Sequence, residues 1–97
     1  MSDFPSLKQI FETFEYDCGK GILWRRSDPY HERRAGFIQR DGKRQVKMDL
    51  EGHLAADLIW VLQTGEPPVG NIVFINGDLD NTRMSNMRDD AYPPARR

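Results

Sequence analysis

Two helical patterns enclose a stretch of short β-type runs, and this order constrains the fold more than any other feature. Ser6 and Gln9 form a capping-box pattern ahead of an apolar stripe with i, i+3, i+4, i+7 spacing, which predicts a helix over residues 7–15. A second stripe predicts a helix from residue 54 or 55 to residue 64, where Gly65 ends it. Helices that flank β-type runs indicate an α+β fold.

The central runs predict a small antiparallel sheet of three strands. Residues 22–24 and 35–39 are short apolar runs, and residues 45–50 alternate apolar with polar side chains. Asp41 and Gly42 give a hairpin signal before the third run. One face of this sheet is therefore expected to be wet, and the other to pack against the helices.

A length of 97 residues limits the chain to one small domain, and the chain has a single cysteine. One thiol can neither form a disulfide within the chain nor assemble a zinc site, and no apolar run reaches membrane-spanning length. The N-terminus lacks the basic and apolar regions of a signal peptide. These features predict a soluble, cytoplasmic protein without a cofactor.

Positive charge is concentrated in one segment. Residues 20–47 carry nine Lys or Arg against three Asp or Glu, a net charge of +6, although the whole chain has a net charge of −1. Such a segment can contact phosphates or an acidic partner, or it can be a solvated face that only confers solubility. The candidate contact residues are Arg25, Arg26, Arg33, Arg34, Lys43, Arg44 and Lys47.

Three motifs follow one another in the C-terminal half. The chain reads Thr-Gly-Glu-Pro-Pro at residues 64–68, Ile-Val-Phe-Ile-Asn-Gly-Asp at residues 72–78 and Asp-Asn-Thr-Arg-Met-Ser-Asn-Met-Arg at residues 80–88. This order resembles the HNH endonucleases of the phage and homing type, which show Thr-Gly-Glu-x-Pro, Ile-Asp-His-Ile-Asn-Gly-Asp, and then Asp-Asn-Arg with Asn-Leu-Arg on a short helix. With weaker upstream matches, the resemblance covers about residues 11–90.

The resemblance implies one HNH-like domain over residues 1–97. Residues 1–53 would form the N-terminal helix and the basic sheet. Residues 54–90 would form the central helix and a degenerate ββα-like HNH unit, with a short helix over residues 80–88. Residues 91–97 would be a flexible tail.

The chain departs from the family at the residues that carry its chemistry. A metal-ligating Asp and a water-activating His are replaced by Val73 and Phe74. A His-Arg pair at the start of the second helix, which would contact phosphate, is replaced by Ala56 and Asp57. Valine cannot ligate Mg²⁺, and phenylalanine cannot take up a proton, so we expect the pair to pack inward. The resemblance therefore implies an inactive member with no catalytic residue and no metal. The family asparagines remain, at Asn76, Asn81 and Asn86.

The half that would hold the scissile phosphate in the family is acidic. Residues 54–90 carry six Asp or Glu against two Arg. We expect the sequence Asn-Gly-Asp at residues 76–78 to shape a turn through side-chain-to-backbone hydrogen bonds rather than to bind a metal. The candidate residues for contact with a basic partner are Asp57, Glu66, Asp78 and Asp80.

Three functions stay open at this point. The first is an inactive, phage-type HNH-fold protein that binds another protein, as a regulator or inhibitor of a host nuclease or defence complex in the host cytoplasm. The second is a non-cleaving DNA-binding module that uses the basic face of residues 20–47. The third is a residual metal-dependent DNA endonuclease. The oligomeric state stays open, with a dimer among the alternatives.

Overall fold

The structure is a computed structural model that describes residues 5–48 and 50–91. The helices are α1 (Leu7–Thr13) and α2 (Ala55–Thr64), and the strands are β1 (Phe14–Asp17), β2 (Ile22–Arg25), β3 (Phe37–Ile38), β4 (Arg44–Met48), β5 (Glu51–Leu54), β6 (Ile72–Phe74) and β7 (Met87–Asp89). All strand pairs are antiparallel. The described residues thus form a small α+β protein, as the sequence predicts.

Helix α1 begins where the sequence predicts and ends earlier. Gln9 N donates a hydrogen bond to Ser6 Oγ at 3.2 Å, and Ser6 N donates one to Gln9 Oε1 at 3.3 Å, so the predicted capping box is confirmed. The predicted helical end at residues 14–15 is wrong. Phe14 and Glu15 begin β1 instead, because their backbone pairs with β2.

The central sheet has three strands, but not the three predicted. Its order is β3, β4, β5, whereas residues 22–24 belong to β2, which pairs with β1 in a separate sheet. The sequence does not predict β5, because Leu50 looks like the last residue of an alternating run. The chain instead reverses at Leu50, which has a φ of +73°. Within β4, Val46 and Met48 are buried and Lys47 is exposed, which confirms one wet face.

The C-terminal unit is a hairpin of β6 and β7, with Phe74 opposite Met87. The helix predicted over residues 80–88 is wrong: Met84–Asn86 form one 3-10 turn, and a strand follows directly. Pairing extends beyond the strand, because Asp90 N donates to Asn71 O at 2.9 Å. Apart from Ala91, the predicted tail lies outside the described residues.

Helix α2 lies at the centre and packs against α1, β1, β4 and β5. The predicted end of this helix at Gly65 is confirmed, with a left-handed φ of +87°. Its buried residues Leu58 and Ile59 join one hydrophobic cluster with Ile10 from α1 and Phe74 from β6. The described residues before residue 54 and those from 54 to 90 therefore share a core. Neither helix in the described part of the chain is long and apolar enough to cross a membrane.

Candidate functional site

Strand β6 carries Val73 and Phe74, where the resemblance places a metal ligand and a base. Phe74 is only 9% exposed and belongs to the hydrophobic cluster, while Val73 is half-buried opposite Arg88. The predicted inward packing of Phe74 is confirmed. Neither side chain has an atom that can ligate a metal or accept a proton. The strand therefore contributes packing to this site.

The three retained asparagines build the loop between β6 and β7. Asn86 is buried, and its Oδ1 accepts a hydrogen bond from Asn76 N at 2.9 Å while its Nδ2 donates to Asn81 O at 3.0 Å. Asn76 Oδ1 accepts from Asp78 N at 2.8 Å, and Asp78 Oδ1 accepts from Asp80 N at 3.0 Å. The predicted side-chain-to-backbone bonding in this turn is confirmed.

This loop delivers Asp80 to two arginines from the basic segment. Arg34 Nη1 lies 2.9 Å from Asp80 Oδ2, and Arg44 Nε lies 2.9 Å from Asp80 Oδ1. Burial lowers the pKa of Arg34 below its usual value, an effect that Asp80 opposes and the nearby Arg44 reinforces. The structure therefore joins two residues predicted to contact an acidic partner with one predicted to contact a basic partner. One carboxylate thus offsets one of the two positive charges, and the three side chains keep a net charge of +1.

Thr82 extends the same network, and the sequence gives no signal for it. Its side chain is buried, donates to Gly21 O at 2.5 Å and accepts from Arg34 Nη2 at 3.1 Å. Tyr16 Oη donates to Thr82 O at 2.6 Å. Because burial dominates at Tyr16, the pKa of its phenol is raised. These bonds tie the loop after β6 to β1 and to the turn between β1 and β2.

The other predicted basic residues lie outside this network. Arg25 Nη2 donates to Lys47 O at 2.9 Å and its guanidinium lies 5.2 Å from the Phe14 ring centroid, while Arg26 Nε donates to Phe11 O at 2.6 Å. These arginines keep their positive charge uncompensated. Within the described residues, ion pairs are absent from Arg25, Arg26, Arg33, Lys43 and Lys47.

The four predicted acidic contact residues are not equivalent in the structure. Glu66 and Asp78 are exposed, whereas Asp80 is half-buried by its arginine partners. Asp57 lies in the first turn of α2 and is also half-buried, which raises the pKa of its carboxyl although His53 and Lys43 oppose the shift. The acidic residues therefore do not form one surface, and Asp57 faces inward.

A cavity of about 60 Å³ lies beside Asp57 and Phe74, between the start of α2, strand β6 and the residues that begin β4. Its apolar wall includes Ala56, Phe74 and Leu79, and its polar wall includes Lys43 and Asp57. Ala56 and Phe74, two of the positions where the chain departs from the motifs of the resemblance, therefore line the same cavity.

A second buried carboxylate closes the base of the β6–β7 hairpin. Asp89 is buried and accepts backbone hydrogen bonds from Val69 at 2.7 Å, Gly70 at 2.9 Å and Ala91 at 2.9 Å. Burial raises the pKa of Asp89, but these three donors outweigh it and the pKa lies below its usual value. The sequence indicates only an acidic pair at residues 89–90, and nothing in that spacing predicts the buried carboxylate.

Within residues 5–48 and 50–91, no three His, Cys, Asp or Glu side chains lie close enough together to hold a metal ion. Comparison with family models, with curated proteins and with solved structures found no match to this chain. The resemblance to HNH endonucleases therefore stays a prediction from sequence motifs.

Proposed function

We propose that this chain acts by binding rather than by catalysis, and that its partner is another protein. The Arg34–Asp80–Arg44 network is the observation that carries the proposal, because Asp80 holds two arginines in internal ion pairs and offsets part of the positive charge that a DNA-binding face would present to phosphates. Phe37 and Ile38, which are adjacent on strand β3, are 49% and 47% exposed, and this apolar area is available to a protein partner.

The non-catalytic part of the proposal rests on Val73 and Phe74. If the HNH resemblance reflects ancestry, loss of the ligand and the base together would slow the reaction by about 10⁴-fold or more. Plasmid DNA incubated with Mg²⁺ or Mn²⁺ should therefore stay uncut. Nicking that Asn86→Ala abolishes would overturn this part.

The resemblance to phage-type proteins gives the class of partner to test first, which is a host nuclease or defence complex that the chain regulates or inhibits. A tagged chain should retain the same protein from extracts treated with DNase and RNase as from untreated extracts. Direct binding of the purified partner should then be measured by calorimetry. Retention that disappears after nuclease treatment would show that nucleic acid bridged the two and would contradict the proposal.

DNA binding is the second candidate, and the uncompensated arginines and lysines of the basic segment favour it. Non-specific DNA binding has a Kd of about 10⁻⁴ to 10⁻⁶ M at physiological salt and weakens steeply with added salt. Fluorescence anisotropy with a random duplex at low and moderate salt tests for it. The DNA candidate requires weaker binding by Lys47→Gln but not by Lys8→Gln, a matched change on α1 outside the basic segment.

A further inference from the structure

Asp57 places a carboxylate in the cavity without a hydrogen-bond donor among the described residues. Half-buried carboxylates usually accept hydrogen bonds, because the lost contacts with water must be replaced. Asp57 has electrostatic attraction from His53 and Lys43, yet burial has the larger effect and its pKa is raised. The cavity therefore disfavours the negative charge that it contains, and a cationic donor would relieve that cost.

Arg44 also lies on the cavity wall, and its guanidinium is already bound to other groups. Arg44 binds Asp80 through Nε at 2.9 Å and donates from Nη1 to Gly36 O at 2.9 Å. Arg44 shares the Asp80 carboxylate with Arg34, and its donors point to fixed acceptors. Lys43 is half-buried and has a flexible stem that can turn its ammonium towards solvent. An entering cation therefore meets the Asp57 carboxylate, the movable ammonium of Lys43 and the fixed guanidinium of Arg44.

The size and lining of the cavity restrict what can enter. A water molecule needs about 10–15 Å³ by this measure, so about 60 Å³ holds a few waters or the end of one side chain. Ala56 and Leu79 offer apolar contact to a methylene stem, and Phe74 lines the same cavity as Asp57. A planar guanidinium suits this setting, because it binds carboxylates in a bidentate manner and is more weakly hydrated than an ammonium.

We propose that this cavity receives one arginine side chain of the protein partner, with its guanidinium bound to the Asp57 carboxylate. The source of the arginine rests on the proposed function, whereas the chemistry of the cavity does not. The site lies where the chain departs from the motifs of the resemblance, so a packed remnant of a catalytic centre would serve as a recognition pocket. Asp57 is the residue of the acidic half that remains available for this contact inside the cavity.

The probe for this site is N-acetyl-arginine amide, titrated into ¹⁵N-labelled protein. Saturable amide shifts are expected at Ala56, Asp57, Asn71 and Ile72, around the cavity. The matched compound N-acetyl-citrulline amide has nearly the same shape without the charge and should cause no saturable shift. Nα-acetyl-lysine amide, which keeps its side-chain ammonium, should bind more weakly, since an ammonium cannot make the bidentate contact.

Two variants separate the site from a general charge effect. Asp57→Asn keeps the shape of the side chain and should weaken binding of the arginine compound by at least about tenfold. Glu66→Gln makes the same change in charge at an exposed residue of the turn after α2 and should leave binding unchanged. Because Asp57→Asn removes a charge that the fold disfavours, the variant should unfold at the same temperature as the parent or higher. Lost binding would then not reflect a lost fold.

Equal shifts with the citrulline compound, or unchanged titration of Asp57→Asn, would overturn the proposal. The retention of a protein partner from extracts is a separate test, and its outcome does not depend on the binding of the arginine compound. Binding of the arginine compound with no retained protein would support the cavity site and contradict the proposed function. A retained protein whose affinity Asp57→Asn leaves unchanged would overturn the cavity site and leave the proposed function standing.

Discussion

Asp80 is the residue at which most of the polar contacts of the loop meet. It pairs with Arg34 and Arg44, so Asp80→Asn leaves two partly buried guanidinium groups without a carboxylate. A hydrogen bond to a charged group contributes about 1.5–3 kcal/mol to stability. The Asp80 side chain is 29% exposed, so solvent weakens its ion pairs. We therefore expect Asp80→Asn to lower the free energy of unfolding by about 2 kcal/mol. For a domain of this size, that lowers the unfolding temperature by about 10 °C.

Thermal unfolding followed by circular dichroism measures this loss, with Glu66→Gln as the control for the change in charge. An unchanged unfolding temperature for Asp80→Asn would contradict the expectation. It would mean that bonds to backbone carbonyls, from Arg34 to Asp80 O and from Arg44 to Gly36 O, hold both arginines in place without the ion pairs.

Asp89 gives the fold a dependence on acid pH. Its pKa in the folded protein lies below the usual value of 3.8, so its charge stabilises the fold above that value. The stabilisation is lost as the pH falls from 3.8 through the folded pKa. Asp89→Asn should therefore be less stable than the parent at neutral pH, and the difference should shrink as the solution is acidified. Urea unfolding at a series of pH values measures it, and a difference independent of pH would contradict the assignment.

Spacing along the sequence predicts some of these residues and not others. The asparagines of the loop bond to backbone within ten positions, and the burial of Val46 and Phe74 follows from local strand patterns. Arg34 and Asp80, by contrast, are 46 positions apart. Nothing local distinguishes Arg34 from Arg33, which is exposed. The tertiary structure is therefore needed to tell which basic residues form internal ion pairs and which are available to a partner.

At the scale of helices and strands, the predictions from sequence are wrong where backbone pairing overrides a side-chain pattern. The stripe that predicts α1 includes Leu7 and Phe11, yet these are 38% and 44% exposed, while Ile10 and Phe14 are fully buried. A helix that ends at Thr13 and a strand that begins at Phe14 bury the same apolar residues as a longer helix would. Helix α2 matches its prediction because a glycine with positive φ fixes its end.

The junction between β2 and the central sheet depends on Gly36. Its φ is +90°, and an added Cβ would lie 2.6 Å from Gln45 O and 2.8 Å from Val46 Cγ2. Gly65 has a similar φ of +87° with nothing within 4 Å of an added Cβ. Both alanine variants incur a left-handed backbone cost of about 1 kcal/mol, so Gly65→Ala is a matched control.

We expect Gly36→Ala to cost about 1 to 3 kcal/mol more than Gly65→Ala, because the added methyl group has to displace the backbone of β4. Chemical denaturation of both variants gives the two free energies of unfolding. Equal losses of unfolding free energy in the two variants would contradict the close approach of residue 36 to β4. The left-handed backbone conformation that Gly36 and Gly65 share would then explain both losses.

At the scale of the whole molecule, three small sheets depend on one core. A two-stranded sheet is only marginally stable in water by itself, and both two-stranded sheets here contribute residues to the cluster around α2. Leu58 is fully buried at its centre. Leu58→Ala should therefore cost about 3 kcal/mol and destabilise all three sheets together.

Urea unfolding followed both by tryptophan fluorescence and by far-ultraviolet circular dichroism tests this cooperativity. The two signals should change at the same urea concentration, and Leu58→Ala should shift them equally. Leu7→Ala makes the same truncation at a partly exposed residue and should cost much less. Separate transitions would mean that residues 1–53 and 54–90 unfold independently.

The pairing of Arg34 and Arg44 with Asp80 also fixes an order of events during synthesis. Both arginines leave the ribosome well before the carboxylate that pairs with them, since more than thirty residues separate Arg44 from Asp80. Until the loop after β6 emerges, neither ion pair can form. The contacts that join residues 34 and 44 to this loop are therefore among the last to form as the chain is made.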